Sequence, residues 1–120
     1  VFATHTRKAE TRRVEAARIV AVARILLFAI PELCSAFDLR IFVDTDDDIR
    51  LLRRISRDIV ERKRDIASIE HQYYATVRPM HVQHVAPSKR EAHLVVPEGG
   101  DNKQALDVIV GRLKYLLLGH

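Results

Sequence analysis

The sequence predicts an α/β fold, a parallel sheet flanked by helices, in one domain over residues 1–120. Two observations carry that expectation. Short apolar runs at 18–23, 39–44 and 92–97 have the length of strands buried on both faces of a parallel sheet. Longer helical patterns lie between and after them, so strands alternate with helices and right-handed crossovers follow.

In chain order, "TRKAETRRVEAAR" (6–18) lacks an apolar stripe and reads as exposed connecting structure or a short strand. "RIVAVA" (18–23) is the first buried strand. "PELCSAF" (31–37) opens on Pro31, a favoured first helical residue, and is long enough for two turns. "LRIFVD" (39–44) is the second strand. "TDDD" (45–48) reads as a helix N-terminus, with Thr45 or Asp46 as cap and carboxylates at the positive end of the dipole. That helix is expected over 46–62, burying Ile49, Leu52, Ile55 and Ile59 with Leu51 alongside. A further helical stretch is expected over 65–76. "VRP" should interrupt it at Pro79, and "MHVQHV" continues as a bent helix until Pro87. "AHLVVP" (92–97) is the third strand, "EGGDN" (98–102) a loop, and "KQALDVIVGRLKYLLL" (103–118) an amphipathic closing helix.

Composition narrows the class. Hydrophobic content of 48% and charged content of 30% are those of a soluble globular domain. A net charge of +4 is compatible with an anionic ligand without identifying it. The single Cys34 cannot form an internal disulfide, which fits a reducing, cytoplasmic setting. "IVAVARILLFAI" runs for 12 residues and contains Arg24, short of the roughly 20 apolar residues a membrane span needs, so no membrane partner is expected. No signal-peptide pattern is present, and the start at "VFATHT" reads as a fragment or a processed product.

The most pointed stretch is "RRISRDIVERKRD" (53–65), with Arg53, Arg54, Arg57, Arg62, Lys63 and Arg64. On a helix, Arg50, Arg54 and Arg57 lie near one face, and Asp58 can pair with Arg62 at i,i+4. Composition alone favours a salt-bridged solvated face. The sharper reading is a phosphate clamp, because arginine offers a rigid fork of donors and stays charged. Arg62 and Arg64 follow the helix, a placement suited to a closing lid. Nucleic acid ranks lowest. Three Tyr, four Phe and no Trp leave little surface on which bases could stack.

"IFVDTDDDIRLLRRISRDIVERKRD" together with "QYYATVRPMHVQHVAPSKREAHLVVPEGGDN" resembles the C-terminal half of uridine–cytidine kinases, in the phosphoribulokinase/uridine kinase group of P-loop kinases. "FATHTRKAET" at the start resembles the segment before that family's buried strand. The resemblance implies a P-loop kinase-like fold lacking the N-terminal P-loop strand, with a helical lid at about 53–78. It implies transfer of the ATP γ-phosphoryl group, with Mg²⁺, to the 5′-hydroxyl of a pyrimidine nucleoside in pyrimidine salvage.

Carried over residue by residue, the resemblance makes Phe2 an aromatic beside the base and His5 the reader of its edge. Arg54, Arg64 and Gln72 become substrate contacts. Arg57 and Arg62 become lid arginines on the ATP phosphates, and Asp101 lines the adenine side. Without the resemblance, His5 reads as a surface residue and Gln72 as a polar helix position.

The sequence also departs from the family pattern. These 120 residues contain no G-x-x-x-x-G-K-[ST], and the family's catalytic aspartate falls on none of them. Ala23-Arg24 replaces Glu-Gly, Lys63 replaces the lid glycine, and Pro97-Glu98-Gly99 replaces Pro-Arg-Gly. The expectation is a chain inactive alone. A non-catalytic nucleotide- or phosphate-binding pseudokinase module is the alternative, and a phosphoribulokinase-like sister kinase a lesser one. In the family a central strand separates those matching 18–23 and 39–44. Here these two should close up on each other, or the chain should associate with itself or with an N-terminal half.

Overall fold

The computed structural model describes residues 9–13, 15–97 and 101–119. Helix α1 (Pro31–Cys34) precedes strand β1 (Ile41–Asp44) and helix α2 (Asp47–Val60). Helix α3 (Ile66–Gln72) then runs into a π-helical turn (Tyr73–Val77), the short α4 (Arg78–Met80), a second π-helical turn (His81–Val85) and a 3₁₀ turn (Pro87–Glu91). Strand β2 (Leu94–Pro97) and helix α5 (Lys103–Leu117) complete the described chain.

The two strands pair in parallel, Ile41 beside Leu94 and Val43 beside Val96. Parallel pairing requires a long crossover, which the helices from α2 to the 3₁₀ turn supply. Arg40 fixes the entry to β1. Its Nε donates to the Glu91 carbonyl at 2.6 Å and its Nη1 to the Cys34 carbonyl at 3.2 Å, while its backbone N–H donates to His93 Nδ1 at 2.9 Å.

The expected strand at 18–23 is not formed. The segment is irregular and exposed, with Val20 at 60% and Val22 at 51%. No described strand lies beside it to satisfy its N–H and C=O groups, and an apolar run without ladder partners cannot hold extended pairing. The expected closure of this run onto β1 therefore does not occur. Helix α1 has one turn, not two, because the chain tightens after Cys34: Ala36 N–H donates to Leu33 O at 3.1 Å and Phe37 N–H to Cys34 O at 3.4 Å.

Helix α2 begins and ends within two residues of the expected bounds, but neither Thr45 nor Asp46 caps it through its side chain. The acidic first turn is engaged elsewhere: Asp47 pairs with Arg50, and the Asp48 carboxylate accepts from Ile49 N–H at 2.8 Å. Its stripe is only partly covered, with Leu52 at 66% and Ile59 at 40% exposure. Pro79 does not interrupt the next helix as expected. Proline lacks an N–H, and its ring crowds the carbonyl four residues back. The backbone responds by widening into π-helical turns on both sides, as in the Ala86 N–H to His81 O bond at 2.8 Å. Asp65 caps α3 by accepting from Ser68 N–H at 2.7 Å, and Asn102 caps α5 by accepting from Ala105 N–H at 3.1 Å.

Between α2 and α3, Lys63 sits at φ +52°, in the left-handed region that costs a residue bearing a Cβ roughly 1 kcal/mol. Lys63→Gly is expected to stabilise the chain by about 1 kcal/mol. A melt showing no rise would place that strain elsewhere.

Among the described residues, the buried apolar ones are Cys34 on α1, Ile69 on α3, Val85 in the second π-helical turn and Val96 on β2. The chain exposes 10169 Å², whereas a compact protein of 13.7 kDa exposes about 6,600 Å². Its radius of gyration is 17.0 Å against about 13.6 Å for a compact chain of this length. Much apolar surface is thus left open, notably Val43 and Val95 on the sheet and Leu106, Val108 and Val110 on α5. No helix among the described residues is long and apolar enough to cross a membrane.

Candidate functional site: an arginine fan around a buried carboxylate

The end of α2, the turn after it and α3 bring five of the sequence-derived site residues together. At the centre is Asp58, whose side chain is 0% exposed. Its Oδ1 lies 3.3 Å from Arg57 Nε and 3.4 Å from Arg62 Nη1. Its Oδ2 lies 3.8 Å from Arg54 Nε and 3.6 Å from Arg64 Nη1. Helical spacing explains two of the pairs, since Arg54 and Arg62 stand four residues to either side of Asp58. The turn explains the last: with Lys63 left-handed, Arg64 N–H reaches back to the Asp58 carbonyl at 2.9 Å and its side chain returns over α2.

Gln72, from the last turn of α3, ties the fan together. Its Oε1 accepts from Arg54 Nη2 at 3.0 Å and also from Arg64 Nη1. Arg64 Nη2 further donates to Ser68 Oγ at 2.9 Å. Burial, with Arg57, Arg62 and Arg64 as like-charged neighbours, pushes the Arg54 guanidinium below its ordinary pKa, and Asp58 opposes that shift. Arg54 Nε and Asp58 Oδ2 are buried without hydrogen-bond partners and face each other only as an ion pair. Four cations around one carboxylate leave three net positive charges at one spot.

Asp101 does not join the fan. It meets Arg53 at 3.4 Å on an exposed surface. Phe2 and His5 lie outside the described residues, as do Glu98 and Gly99. The sequence offers Asp58 only as an i,i+4 partner of Arg62. The available signal was its i−4 and i+4 arginines, but a sequence pattern does not show which carboxylate is buried.

Residues 1–105 match the family model described as "Phosphoribulokinase / Uridine kinase family". The chain belongs to that family. It is 47% identical over 116 residues to a uridine kinase of Clostridium tetani, covering 97% of this chain and 56% of that protein. The figures are the same for a uridine kinase of Clostridium novyi. One from Ligilactobacillus salivarius is 45% identical, with 97% of this chain and 54% of that protein covered. The chain thus spans about half the length of the curated relatives it matches.

For a phosphoribulokinase/uridine kinase family chain, the fit of ATP and Mg²⁺ can be tested on the residues themselves. The fan suits a polyphosphate in charge and donor geometry. Among the described residues, no group of three or more His, Cys, Asp or Glu side chains could hold a metal ion. An apolar cleft of about 190 Å³ between α2 and the α3 helix is lined by Leu51, Ile55, Ile66, Ile69, Glu70, Tyr73 and Tyr74, and shares no lining residue with the fan.

A second cluster joins α2 to the helix after Pro79. Arg50 Nη1 bonds His81 Nδ1 at 2.8 Å and the same guanidinium pairs with Asp47. Burial first, then the charge of Arg50, holds the His81 pKa below its ordinary 6.5, with Asp47 and Asp44 opposing. Because the folded value is the lower one, the unfolded chain takes up the proton first. The stabilisation is present above 6.5 and lost as pH falls from there through the depressed folded value. His81→Gln keeps a neutral acceptor and is expected to flatten the melting temperature over that window. An unchanged pH profile would show that His81 does not set it.

Proposed function

We propose that this chain is the nucleoside-and-lid half of a uridine/cytidine kinase, in which the arginine fan grips the phosphates of ATP. The observation that carries the reading is the convergence of Arg54, Arg57, Arg62 and Arg64 on one point beside Gln72. In the reaction, the bond from the γ-phosphorus to the β,γ-bridging oxygen breaks and a bond to the nucleoside 5′-oxygen forms. The hydroxyl proton leaves to a base outside these 120 residues. Negative charge spreads over the transferring group and the departing diphosphate. Preorganised guanidinium groups stabilise that charge most where water is excluded. Bound Mg²⁺ would neutralise further phosphate charge. Arg54 and Arg64, shared with Gln72, stand on the nucleoside side, and Arg57 and Arg62 on the triphosphate side. Asp101 on the adenine side, Phe2 and His5 at the base, and a lid over about 53–78 belong to the same reading. A cytoplasmic salvage enzyme is the setting that the family supports.

The alternative is a phosphate-binding module without catalysis, favoured by the lack of a G-x-x-x-x-G-K-[ST] motif in these residues. One experiment separates the two. The chain alone, with ATP, Mg²⁺ and uridine, is expected to give no UMP above a protein-free control. Co-expression with the unmatched part of the Clostridium tetani uridine kinase is expected to restore UMP formation. A co-purifying pair that makes no UMP would favour the module, and UMP from the chain alone would overturn the claim that it lacks catalytic parts.

A further inference from the structure

The geometry points to Asp58 as the positioning residue of the phosphate site: its buried carboxylate gathers Arg54, Arg57, Arg62 and Arg64 into one preassembled receptor for a polyphosphate. The inference rests on the phosphate-site reading above. It adds a residue that neither the sequence motifs nor that reading assigned.

Four guanidinium groups repel one another, and left alone they would spread into solvent. Asp58 is fully buried, yet each of its oxygens lies between two arginines, at 3.3 and 3.4 Å on one side and 3.6 and 3.8 Å on the other. Arg54, Arg62 and Arg64 are 22%, 27% and 26% exposed, so much of each side chain is held inside while an edge of the fan faces out. All four contacts are longer than a strong charge-assisted hydrogen bond, and neither contact to Oδ2 is a hydrogen bond at all. Asp58 therefore holds the arginines mainly by charge rather than by short hydrogen bonds. The carboxylate orders the cations. Ordering before binding lowers the entropy lost when the ligand arrives.

The test turns on sign. If Asp58 contributed only charge, Asp58→Asn would make the site more positive, and inorganic tripolyphosphate would bind more tightly. If Asp58 positions the fan, the same change weakens binding, and we expect a loss of at least tenfold in calorimetry on the 120-residue chain. Arginine-selective NMR should show dispersed Nε–H signals that collapse toward solvent-like positions in the variant. Glu61→Gln, an exposed carboxylate at the end of α2, serves as the charge-only control and should bind as well as wild type or better. Should Asp58→Asn fail to fold, Asp58→Glu retains the charge and moves it by one methylene, and a several-fold loss is expected. Equal or tighter binding by whichever variant folds overturns the proposal and leaves the phosphate site standing. Absence of tripolyphosphate binding by wild type overturns both.

Discussion

Arg62→Ala is expected to weaken ATP binding by about 1–3 kcal/mol, roughly 5- to 150-fold, the scale of a hydrogen bond to a charged partner. Arg62 stands after the end of α2, with its Nη1 3.4 Å from Asp58 Oδ1. A guanidinium held beside Asp58 presents a fixed planar fork, and alanine removes the whole of it. Arg57→Lys should also weaken binding, since a lysine keeps the charge but offers no planar pair of donors. Calorimetry with ATP checks both. Unchanged affinity in both variants would return the stretch to a solvated, salt-bridged helix end, where pairs contribute little.

The second large effect is association. At micromolar concentration the chain is expected to scatter light as a species larger than a monomer and to melt broadly. The motive is the excess of exposed surface together with the sheet: two strands with open edges, Val43 at 53% and Val95 at 44% exposure, and Leu52 at 66% on α2. Two-stranded sheets are marginal in water, and open edges recruit other strands. Supplying the unmatched part of a related uridine kinase should reduce the self-association by covering these faces. A strict monomer at high concentration with a sharp, cooperative melt would show that the few buried apolar residues suffice.

What the sequence makes legible depends on how local the cause is. Helices α2 and α5 and strands β1 and β2 fall close to their expected bounds, because apolar spacing and turn residues act within a few positions. The run at 18–23 has the composition of a buried strand, but a strand exists only with partners, and none is present among the described residues. The stripe of α2 is periodic as read, yet periodicity fixes which side is apolar and not whether anything covers it. The sequence predicts an interruption at Pro79 with a bent helix after it, and π-helical widening on both sides absorbs the proline instead. In the site, the arginines, Gln72 and their common face were legible from motif and spacing. The role of Asp58 was not, since burial of one carboxylate among several emerges only when α3 folds back on α2 through the left-handed Lys63. Asp101 stands apart from the fan on Arg53, as an expected adenine-side position can.

The most direct measurement is a calorimetric titration of the wild-type chain with inorganic tripolyphosphate at two salt concentrations, followed by competition with ATP. The account predicts one saturable site per chain, weaker at higher salt and displaced by ATP, because three net positive charges are held at one point. No saturable binding, or binding that ATP does not displace, would contradict it.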